Sequence, residues 1–457
     1  MTTTTTLLET CLVPPPAGGA AELSAPLSFF DVIWLHFHPI RRLLFYSHPC
    51  SKTHFLETLV PKLKKSLSLA LKHYLPLSGN LLYPLNTEKS KPVFRYVSGD
   101  SVPLAVAVSV GDFDELVGNH ARDADQYYDF VPDMPPVRDE PEYKVVPIFA
   151  LQVTLFPDRG LCIGFANHHS IGDASSIFSF MKTWSALCTK LGDNDEEFLP
   201  TTWPVFDRSI IKDPIGVDSI FWKKMREIPF KPSSFPLPTN RVRATYTLNQ
   251  IDIKMLKDMV LGKKPSLVQV SSFVVTVSYV WTCLLKSGDR IGEQSVDGTE
   301  TEMFVFAVDV RGRIDPPVPG NYFGNCLGFG MVKFQHKEAA GDEGFATAAE
   351  AISDDIRNRV NNKDEVLKGV ENWMSGWDEL VKMKTVGVSG SPRFDLYGVD
   401  FGWGRARKLE VVSIDGESYS MSLCKSKDWD GGLEIGLSLP KERMEAFAVI
   451  FADGLRS

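Results

Sequence analysis

Two adjacent histidines and a carboxylate fall within one short segment in the first half of the chain. Residues 167–173 read NHHSIGD, with Asp173 four positions after His169. Because neighbouring residues of a strand point to opposite faces, either His168 or His169 can face a cavity while the other packs in the core. A neutral imidazole near pH 7 is suited to take a proton from a hydroxyl group. The segment therefore predicts general-base chemistry, with Asp173 orienting a ring or fixing the loop.

Two other interpretations of this segment stay open. One is a satisfied core histidine beside an aspartate that caps a helix, which the spacing alone favours. The other is a metal site, which needs three or four ligands. The remaining seven histidines stand in no ligand-like spacing, so the sequence nominates no further ligand and we expect no bound metal.

Two segments further along the chain combine charged residues with glycines. Asp400–Gly404 reads DFGWG, and its two glycines indicate a tight backbone approach. The alternative is a bulged strand or turn in which Asp400 makes a structural ion pair. Residues 308–313 read VDVRGR, where Arg311 at a strand end can meet a phosphate or carboxylate, or neutralise a buried aspartate.

The elements around the histidines can be predicted from local patterns. Residues 147–156 and 161–166 are rich in β-branched and aromatic side chains, and the turn sequence PDRG between them predicts a hairpin. Past Gly172 the apolar residues recur at helical spacing, and Asp173 or Ser175 can cap that helix. The histidines are thus expected at a strand end that faces a helix start.

The remaining pattern is a mixture of helices and strands without regular alternation. We expect an amphipathic helix over 51–74, kinked or restarted at Pro61, and a helix over 271–285 capped by serines. Pro440 suits the first turn of a last helix. Further strands are predicted over 303–310, 396–399, 409–414, 418–423 and 434–439. This pattern indicates an α+β fold.

The length of 457 residues suggests two or three domains, and no internal repeat is evident. Between residues 192 and 240 the periodicity fades into acidic, proline-rich sequence. We therefore predict an N-terminal domain over 1–195, a crossover linker over 196–244 and a C-terminal domain over 245–457.

Charge and composition exclude several classes of partner. With 49 Lys plus Arg against 57 Asp plus Glu, the formal charge is −8, and no basic cluster suggests nucleic-acid binding. No apolar run reaches the roughly 20 residues that span a membrane. No Lys or Arg precedes Arg41, so neither a secretory signal nor a transit peptide is expected. The seven scattered cysteines fit reduced thiols in the cytoplasm.

Taken together, the motifs resemble those of the plant BAHD acyl-CoA-dependent acyltransferases. The family's HxxxD motif appears as His169–Asp173, and its DFGWG motif as Asp400–Gly404, in the expected order and far apart. The stretch PLSGNL over 76–81 adds to a resemblance that extends over essentially the whole chain.

Further segments resemble the anthocyanin and phenolic-glucoside acyltransferase clade, and within it the malonyl-transferring members. They are YFGNC over 322–326, SFFD over 28–31, WL over 34–35, GSPRF over 390–394 and LEIGLSL over 433–439. Two departures are small: Ala174 follows the motif aspartate where many relatives have glycine, and Arg405-Ala406 stands where Lys-Pro is common. Neither removes a chemical group that the reaction needs.

The resemblance implies two chloramphenicol-acetyltransferase-like domains, with mixed sheets flanked by helices and an active-site channel between them. It implies that His169 takes the proton of a sugar 6-hydroxyl, so that the oxygen attacks the acyl-CoA thioester within a ternary complex. Asp173 then holds the catalytic loop, and Asp400 pairs with Arg311. His168, Arg311, Gly402, Trp403 and Gly404 are expected to be structural supports.

A malonyl donor carries a carboxylate, and an apolar tunnel needs a cation to receive it. We expect Arg41 to be that cation with His38 as a helper; the alternative is a solvent-exposed pair formed by Arg41 and Arg42. For coenzyme A, serines at a helix N-terminus and a lysine pair are candidates, with plain capping and solvated lysines as the alternative. These candidates are Ser271, Ser272, Lys263 and Lys264.

The sequence therefore predicts a monomeric, cytoplasmic O-malonyltransferase that acts on flavonoid or other phenolic glucosides. Malonyl-CoA is its expected co-substrate, without a bound cofactor. Three alternatives remain open at this point: a hydroxycinnamoyl transferase acting on the same acceptors, a metal-dependent hydrolase using His168, His169 and Asp173, and a non-catalytic binding protein.

Overall fold

The computed structural model describes residues 4–18, 22–191, 202–231, 237–293, 299–374, 383–416 and 420–456. Within these residues the strands form three sheets. The first has six strands in the order β1 (Thr5–Val13), β6 (Val102–Ser109), β10 (Phe149–Phe156), β11 (Gly160–Asn167), β3 (Ile40–Tyr46) and β16 (Lys408–Val411).

The second sheet belongs mainly to the C-terminal half and has seven strands. Their order is β14 (Leu327–Gln335), β13 (Thr301–Asp309), β15 (Lys384–Ser389), β17 (Met421–Lys425), β18 (Leu433–Leu439), β12 (Val242–Leu248) and β7 (Arg122–Asp123). The third sheet has five strands in the order β2 (Leu23–Pro26), β5 (Val93–Tyr96), β4 (Asn80–Pro84), β9 (Tyr143–Pro147) and β8 (Arg138–Asp139).

Helices pack against these sheets, and together they give the α+β architecture that the sequence predicts. The α-helices are α1 (Phe29–Val32), α2 (Lys52–His54), α3 (Val60–Leu71), α4 (Phe113–Leu116), α5 (Ala174–Lys190), α6 (Val217–Met225), α7 (Gln250–Lys263), α8 (Ser272–Arg290), α9 (His336–Ala340), α10 (Gly344–Asp355) and α11 (Lys441–Gly454). Shorter turns of other helix types join several of them.

The hairpin before the histidines is present as predicted. Strands β10 and β11 pair antiparallel along their whole length, and every residue of both is buried. Asp158 makes the tight turn with a positive φ of 57°, a left-handed conformation that aspartate tolerates better than most residues. Because both faces of this pair are covered, the end of β11 is a rigid base for the residues that follow it.

Most predicted helices are also confirmed. Residues 52–71 form one helical segment in which a π-type turn (Phe55–Leu59) precedes α3, so the helix restarts at Pro61. Ser271 caps α8 by accepting a hydrogen bond from the Val274 N–H. Pro440 directly precedes α11.

One predicted strand is wrong, a second ends early and a third is only partly described. The strand predicted over 409–414 ends at Val411, and Val412–Gly416 forms a 3₁₀ turn. Residues 396–399 form a 3₁₀ turn over Leu396–Gly398, because the Asp395 side chain accepts a hydrogen bond from the Gly398 N–H and closes the turn. The predicted strand over 418–423 appears as β17 from Met421, and residues 417–419 lie outside the described part of the chain.

Each half of the molecule lends a strand to the sheet of the other half. Strand β16 of the C-terminal half pairs with β3 in the first sheet, and β7 of the N-terminal half pairs with β12 in the second. Strand β12 begins at Val242, inside the segment predicted as a linker. The exchange ties the two halves together around the cavity between them.

A buried ionic network lies where the exchanged strands meet. Glu410 on β16 contacts Arg122 of β7 and Arg243 of β12, and Arg243 also contacts Asp415. Lys408 lies 3.7 Å from the same glutamate.

Among the described residues, no helix is long and apolar enough to cross a membrane.

Candidate active site

A cavity of about 1510 Å³ lies between the two halves, and residues from both halves line it. On the N-terminal side it is bordered by Trp34, Phe37 and His169, and on the C-terminal side by Phe329 and Ser271, among others. A cavity of this size and position can hold two substrates at once. We refer to it as the channel.

The His169 imidazole is held in the channel by aromatic neighbours. It opens the 3₁₀ turn (His169–Ile171) that directly follows β11. The Trp34 ring stacks on it, with centroids 3.8 Å apart and planes within 10°, and Phe37 meets it edge-on at 5.6 Å. The Asn325 side-chain amide donates to the His169 carbonyl at 2.9 Å. Ring and backbone are therefore both fixed.

The surroundings of His169 favour its neutral form. Burial lowers the pKa of His169 to about 3, and the charges of Arg42, His168 and His38 act in the same direction. A neutral imidazole at pH 7 can accept a proton. The His169 imidazole is thus both neutral and oriented, as a proton acceptor must be.

His168 is the core histidine of the pair, as strand alternation predicts for one of the two. Its backbone N–H donates to the Ile148 carbonyl, and its Nδ1 is hydrogen-bonded to the Ser170 N–H and hydroxyl at 3.3 and 2.8 Å. Burial lowers the pKa of His168 to about 4. Its contacts are those of a structural support that caps the turn.

Asp173 caps α5 and forms a buried ion pair. Its Oδ1 accepts from the Ser176 N–H at 3.1 Å, and its Oδ2 lies 2.8 Å from Arg311 Nη1 and accepts from the Cys326 N–H. Burial alone would lower the pKa of Arg311, but the Asp173 carboxylate raises it above its ordinary value. In the part of the chain that the structure describes, no hydrogen bond joins Asp173 to the His169 ring.

The YFGNC segment, noted in the sequence only as a clade marker, clamps the histidine turn. Asn325 donates through its backbone and its side chain to Asp31 Oδ1 at 3.0 Å, while the same amide reaches the His169 and Ser170 carbonyls. Asp31 is fully buried and also pairs with Arg208 at 3.3 Å. Sequence reasoning missed this clamp because Asp31 and Asn325 are distant in the chain. The only signal was that the SFFD and YFGNC segments are both present.

The predicted pair between Asp400 and Arg311 is wrong. Arg311 pairs with Asp173 and with Asp309, whereas Asp400 Oδ1 accepts hydrogen bonds from the N–H groups of Gly402, Trp403 and Gly404 at 2.8–2.9 Å. These bonds close a tight turn of the kind in which an aspartate side chain binds its own backbone.

The same turn places Asp400 outside the described lining of the channel. Gly402 and Gly404 have positive φ values of 89° and 81°, which L side chains rarely adopt. The Phe401 and Trp403 rings stack at 5.3 Å and both meet Tyr46. Asp400 is exposed and is not among the described residues that line the channel.

The structure places Arg42, and not the predicted Arg41, in the described lining of the channel. Strand alternation turns Arg42 into the channel and Arg41 to the opposite face of β3, where Tyr128 and the Asp133 carboxylate are its neighbours. Arg41 is absent from the described lining of the channel. His38, the proposed helper, does line it, and burial lowers the pKa of His38 to about 4.

The structure places one of the four candidates for binding coenzyme A in the channel and the other three outside its described lining. Ser271 lines the channel at the start of α8, and Ser272 is not among the described lining residues. Lys263 pairs with Glu343 and Lys264 with Glu350, both at 2.8 Å, outside the described lining. Among the described residues no group of three His, Cys, Asp or Glu side chains could hold a metal ion.

Comparisons with known proteins cover nearly the whole chain. A model described as the Transferase family matches residues 5–452. The chain is 55% identical over 437 residues to malonyl-coenzyme:anthocyanin 5-O-glucoside-6'''-O-malonyltransferase of Salvia splendens, covering 94% of this chain and 92% of that protein. It is 45% identical over 440 residues to phenolic glucoside malonyltransferase 1 of Nicotiana tabacum, covering 95% and 96%.

A relative with a different named donor is more distant. Coumaroyl-CoA:anthocyanidin 3-O-glucoside-6''-O-coumaroyltransferase 2 of Arabidopsis thaliana is 34% identical over 449 residues, covering 95% of this chain and 94% of that protein.

Among solved structures the fold is similar to that of vinorine synthase, with a TM-score of 0.69, 20% identity and 97% and 96% of the two chains covered. It is also similar to Fusarium sporotrichioides TRI101 complexed with coenzyme A and T-2, with a TM-score of 0.64, 16% identity and 94% and 97% covered.

Proposed function

This chain belongs to the transferase family of BAHD acyl-CoA-dependent acyltransferases, and we propose that it transfers malonyl from malonyl-CoA to the sugar 6-hydroxyl of flavonoid or other phenolic glucosides. The observation that carries the proposal is the neutral, aromatic-stacked His169 imidazole in a channel that both halves line. The relatives at 55% and 45% identity are both named as glucoside malonyltransferases.

In the proposed reaction His169 is the general base. The glucose hydroxyl gives its proton to the imidazole as its oxygen attacks the thioester carbonyl, which forms a tetrahedral intermediate. As the carbon–sulfur bond breaks, the imidazolium returns the proton to the sulfur of coenzyme A. General acid–base catalysis of this kind contributes about 10²- to 10⁴-fold. Donor and acceptor react in one ternary complex, without an acyl-enzyme.

The other motif residues act by holding the base in place. We propose that Asp173 and Arg311 fix the loop after β11 from one side, while Asn325 and Asp31 fix it from the other. His168 supports the same turn from the core. The DFGWG turn, with Asp400, Gly402, Trp403 and Gly404, stabilises the fold outside the channel.

Coenzyme A is proposed to enter along the C-terminal wall of the channel. Ser271 at the N-terminus of α8 offers polar groups to the pantetheine arm, since it lines the cavity. Ser272 follows it in the first turn. Lys263 and Lys264 can reach the nucleotide phosphates only by leaving their carboxylate partners, Glu343 and Glu350.

A hydroxycinnamoyl donor is the second candidate, because a coumaroyltransferase is also among the relatives. The two donors differ in charge and size: coumaroyl is a neutral aromatic group, and malonyl is a short anion. The presence of Arg42 in the lining favours the anion.

A competition assay tests the proposal directly. Purified protein receives a flavonoid 3-O- or 5-O-glucoside with equal concentrations of malonyl-, acetyl- and coumaroyl-CoA, and the products are resolved by mass. We expect a malonylated glucoside as the main product, and no product from the matching aglycone, which lacks the sugar. A coumaroylated main product would contradict the proposed donor, and acylated aglycone would contradict the proposed acceptor.

We further propose that the protein works as a cytoplasmic monomer. All seven cysteines are free, and five of them are buried, which suits a reducing compartment. Light scattering coupled to size exclusion should give a mass near 50.9 kDa. A mass of twice that value would exclude the monomer.

A further inference from the structure

Arg42 lines the channel, and no carboxylate of the described residues forms an ion pair with it. It sits on β3 between β11 and β16, opposite Phe165 and Val411. Its residue is only 7% exposed, and its neighbours two and four positions along the same strand face, Leu44 and Tyr46, are fully buried. The charge is therefore held in a largely apolar surrounding.

The other buried arginines of the described chain all contact a carboxylate. They pair as Arg122–Glu410, Arg208–Asp31, Arg243–Asp415, Arg311–Asp173 and Arg443–Glu293. Arg42 alone among them has no carboxylate within 4.0 Å in the described chain, and its Nε–H is buried without a hydrogen-bond partner there. An unpaired buried charge is costly to keep in a fold. Its retention at this place suggests that a ligand supplies the missing anion.

The guanidinium stays charged under physiological conditions. Burial lowers the pKa of Arg42 to about 10, so its proton is retained at pH 7. Its charge also acts on the nearby His169 imidazole. The guanidinium is thus placed beside the proposed reacting centre.

A small side cavity of about 30 Å³ opens next to Arg42, and Arg42 borders both this cavity and the channel. One water needs roughly 10–15 Å³ in such a cavity, so the space matches a carboxylate and excludes an aromatic ring. Two acidic residues also border it. Glu410 is neutralised by Arg122 and Arg243, and Glu434 accepts from the Tyr397 hydroxyl at 2.6 Å.

We propose that Arg42 binds the free carboxylate of the malonyl group and thereby selects malonyl-CoA over neutral acyl donors. This inference rests on the proposed malonyltransferase function and names the residue that recognises the acyl group of the donor. A planar guanidinium matches a carboxylate with two parallel hydrogen bonds. Malonyl carries its carboxylate one methylene beyond the thioester carbonyl, so a carboxylate bound by Arg42 keeps that carbonyl in the channel that His169 also lines.

The first test uses the wild-type protein and two donors of similar shape. Acetoacetyl-CoA has the chain length of malonyl-CoA, but a methyl ketone replaces the carboxylate. With a charged hydrogen-bonding partner for the carboxylate, kcat/KM for malonyl-CoA should exceed that for acetoacetyl-CoA by about 10- to 100-fold. Equal values would overturn the inference while leaving malonyl transfer itself intact.

The second test removes the Arg42 charge from β3. In R42Q the ratio of kcat/KM for malonyl-CoA to that for acetyl-CoA should fall about 10- to 100-fold, and R42K should fall between R42Q and wild type. R41Q is the matched control, because it removes the adjacent charge on the other face of β3 and should keep the ratio. Thermal melting confirms that each variant is folded.

The outcomes separate this inference from the proposed function. If wild type prefers malonyl-CoA and R42Q loses transfer of malonyl and acetyl equally, the arginine acts on His169 rather than on the donor, and only this inference fails. If wild type prefers coumaroyl-CoA, the proposed donor fails, and the assignment of Arg42 fails with it.

Discussion

At the scale of single residues, the proposed chemistry depends on the His169 imidazole, which is neutral and oriented. Burial lowers the pKa of His169 to about 3 and that of His168 to about 4. In the unfolded chain both groups titrate near 6.5. Between these values the unfolded state binds more protons than the folded state, so stability rises with pH over that interval and is lost as pH falls.

The first prediction concerns this pH dependence. The free energy of unfolding should fall by about 1.4 kcal/mol per pH unit for each such histidine between pH 6 and pH 5. Urea unfolding of wild type and H169Q at several pH values checks it, because the variant should bind one proton fewer on unfolding. Identical slopes would show that His169 is not held neutral by the fold.

The second prediction concerns Trp34, which we regard as a positioning residue for the imidazole. W34A removes the ring that stacks on His169 at 3.8 Å and should lower kcat at least about tenfold, since loss of orientation is costly in catalysis. W34F keeps an aromatic face and should restore most of kcat. Equal rates in W34F and W34A would rule out stacking as the cause.

Local sequence patterns found His169 and Asp173 but not their partners. The motif is contiguous, so local patterns placed His169 at a strand end, whereas its role as the base rested on the resemblance to the family. The register of β3 with β11 decides whether Arg41 or Arg42 faces the channel. That register cannot be predicted from a run of buried residues, because such a run lacks alternation of polar and apolar residues. Asn325 is likewise brought to His169 only by the fold.

At the scale of elements, tight turns and capped helices hold the site. The hairpin of β10 and β11 and the helix α5 could be predicted because their turn and cap signals are local. The strand expected over 396–399 could not be distinguished from a 3₁₀ turn, since a four-residue apolar run carries too little periodicity. The exchange of β7 and β16 could not be predicted either. The pairing of such short strands depends on partner strands that are distant in the sequence.

The third prediction belongs to the DFGWG turn. D400A should lower the free energy of unfolding by about 1–2 kcal/mol, because three backbone N–H groups lose their acceptor. D400N keeps a side-chain oxygen and should lose much less. Thermal and urea unfolding measure both, and kcat of the folded fraction should change little in either. A fall of 10²-fold or more in kcat of folded D400N would instead point to a chemical role.

At the scale of the whole molecule, strand exchange joins the two halves around the channel. Glu410 connects β16 with β7 and β12 through Arg122 and Arg243, which come from both halves. The overall two-part α+β arrangement could be predicted from composition, motif order and resemblance. The ionic network could not, because residues in direct contact within it lie up to 288 positions apart in sequence.

The fourth prediction concerns that network. E410A leaves two buried guanidinium groups with fewer carboxylate partners and should destabilise the protein by about 3–5 kcal/mol. Because the network spans both halves, far-UV circular dichroism and tryptophan fluorescence should still report one shared transition at a lower denaturant concentration. E57A on the exposed π-type turn is the control and should change stability by less than about 0.5 kcal/mol. Separate transitions for the two signals in E410A would mean that this network alone couples the halves, and an unchanged midpoint would contradict its role in stability.

We propose that His169 is the base for malonyl transfer to a glucoside hydroxyl. Its most direct test is the steady-state kcat/KM of H169Q with malonyl-CoA and a flavonoid glucoside, measured on protein that melts as wild type does. Loss of a general base predicts a fall of about 10²- to 10⁴-fold, mainly in kcat. Activity within threefold of wild type would contradict the mechanism proposed for this site.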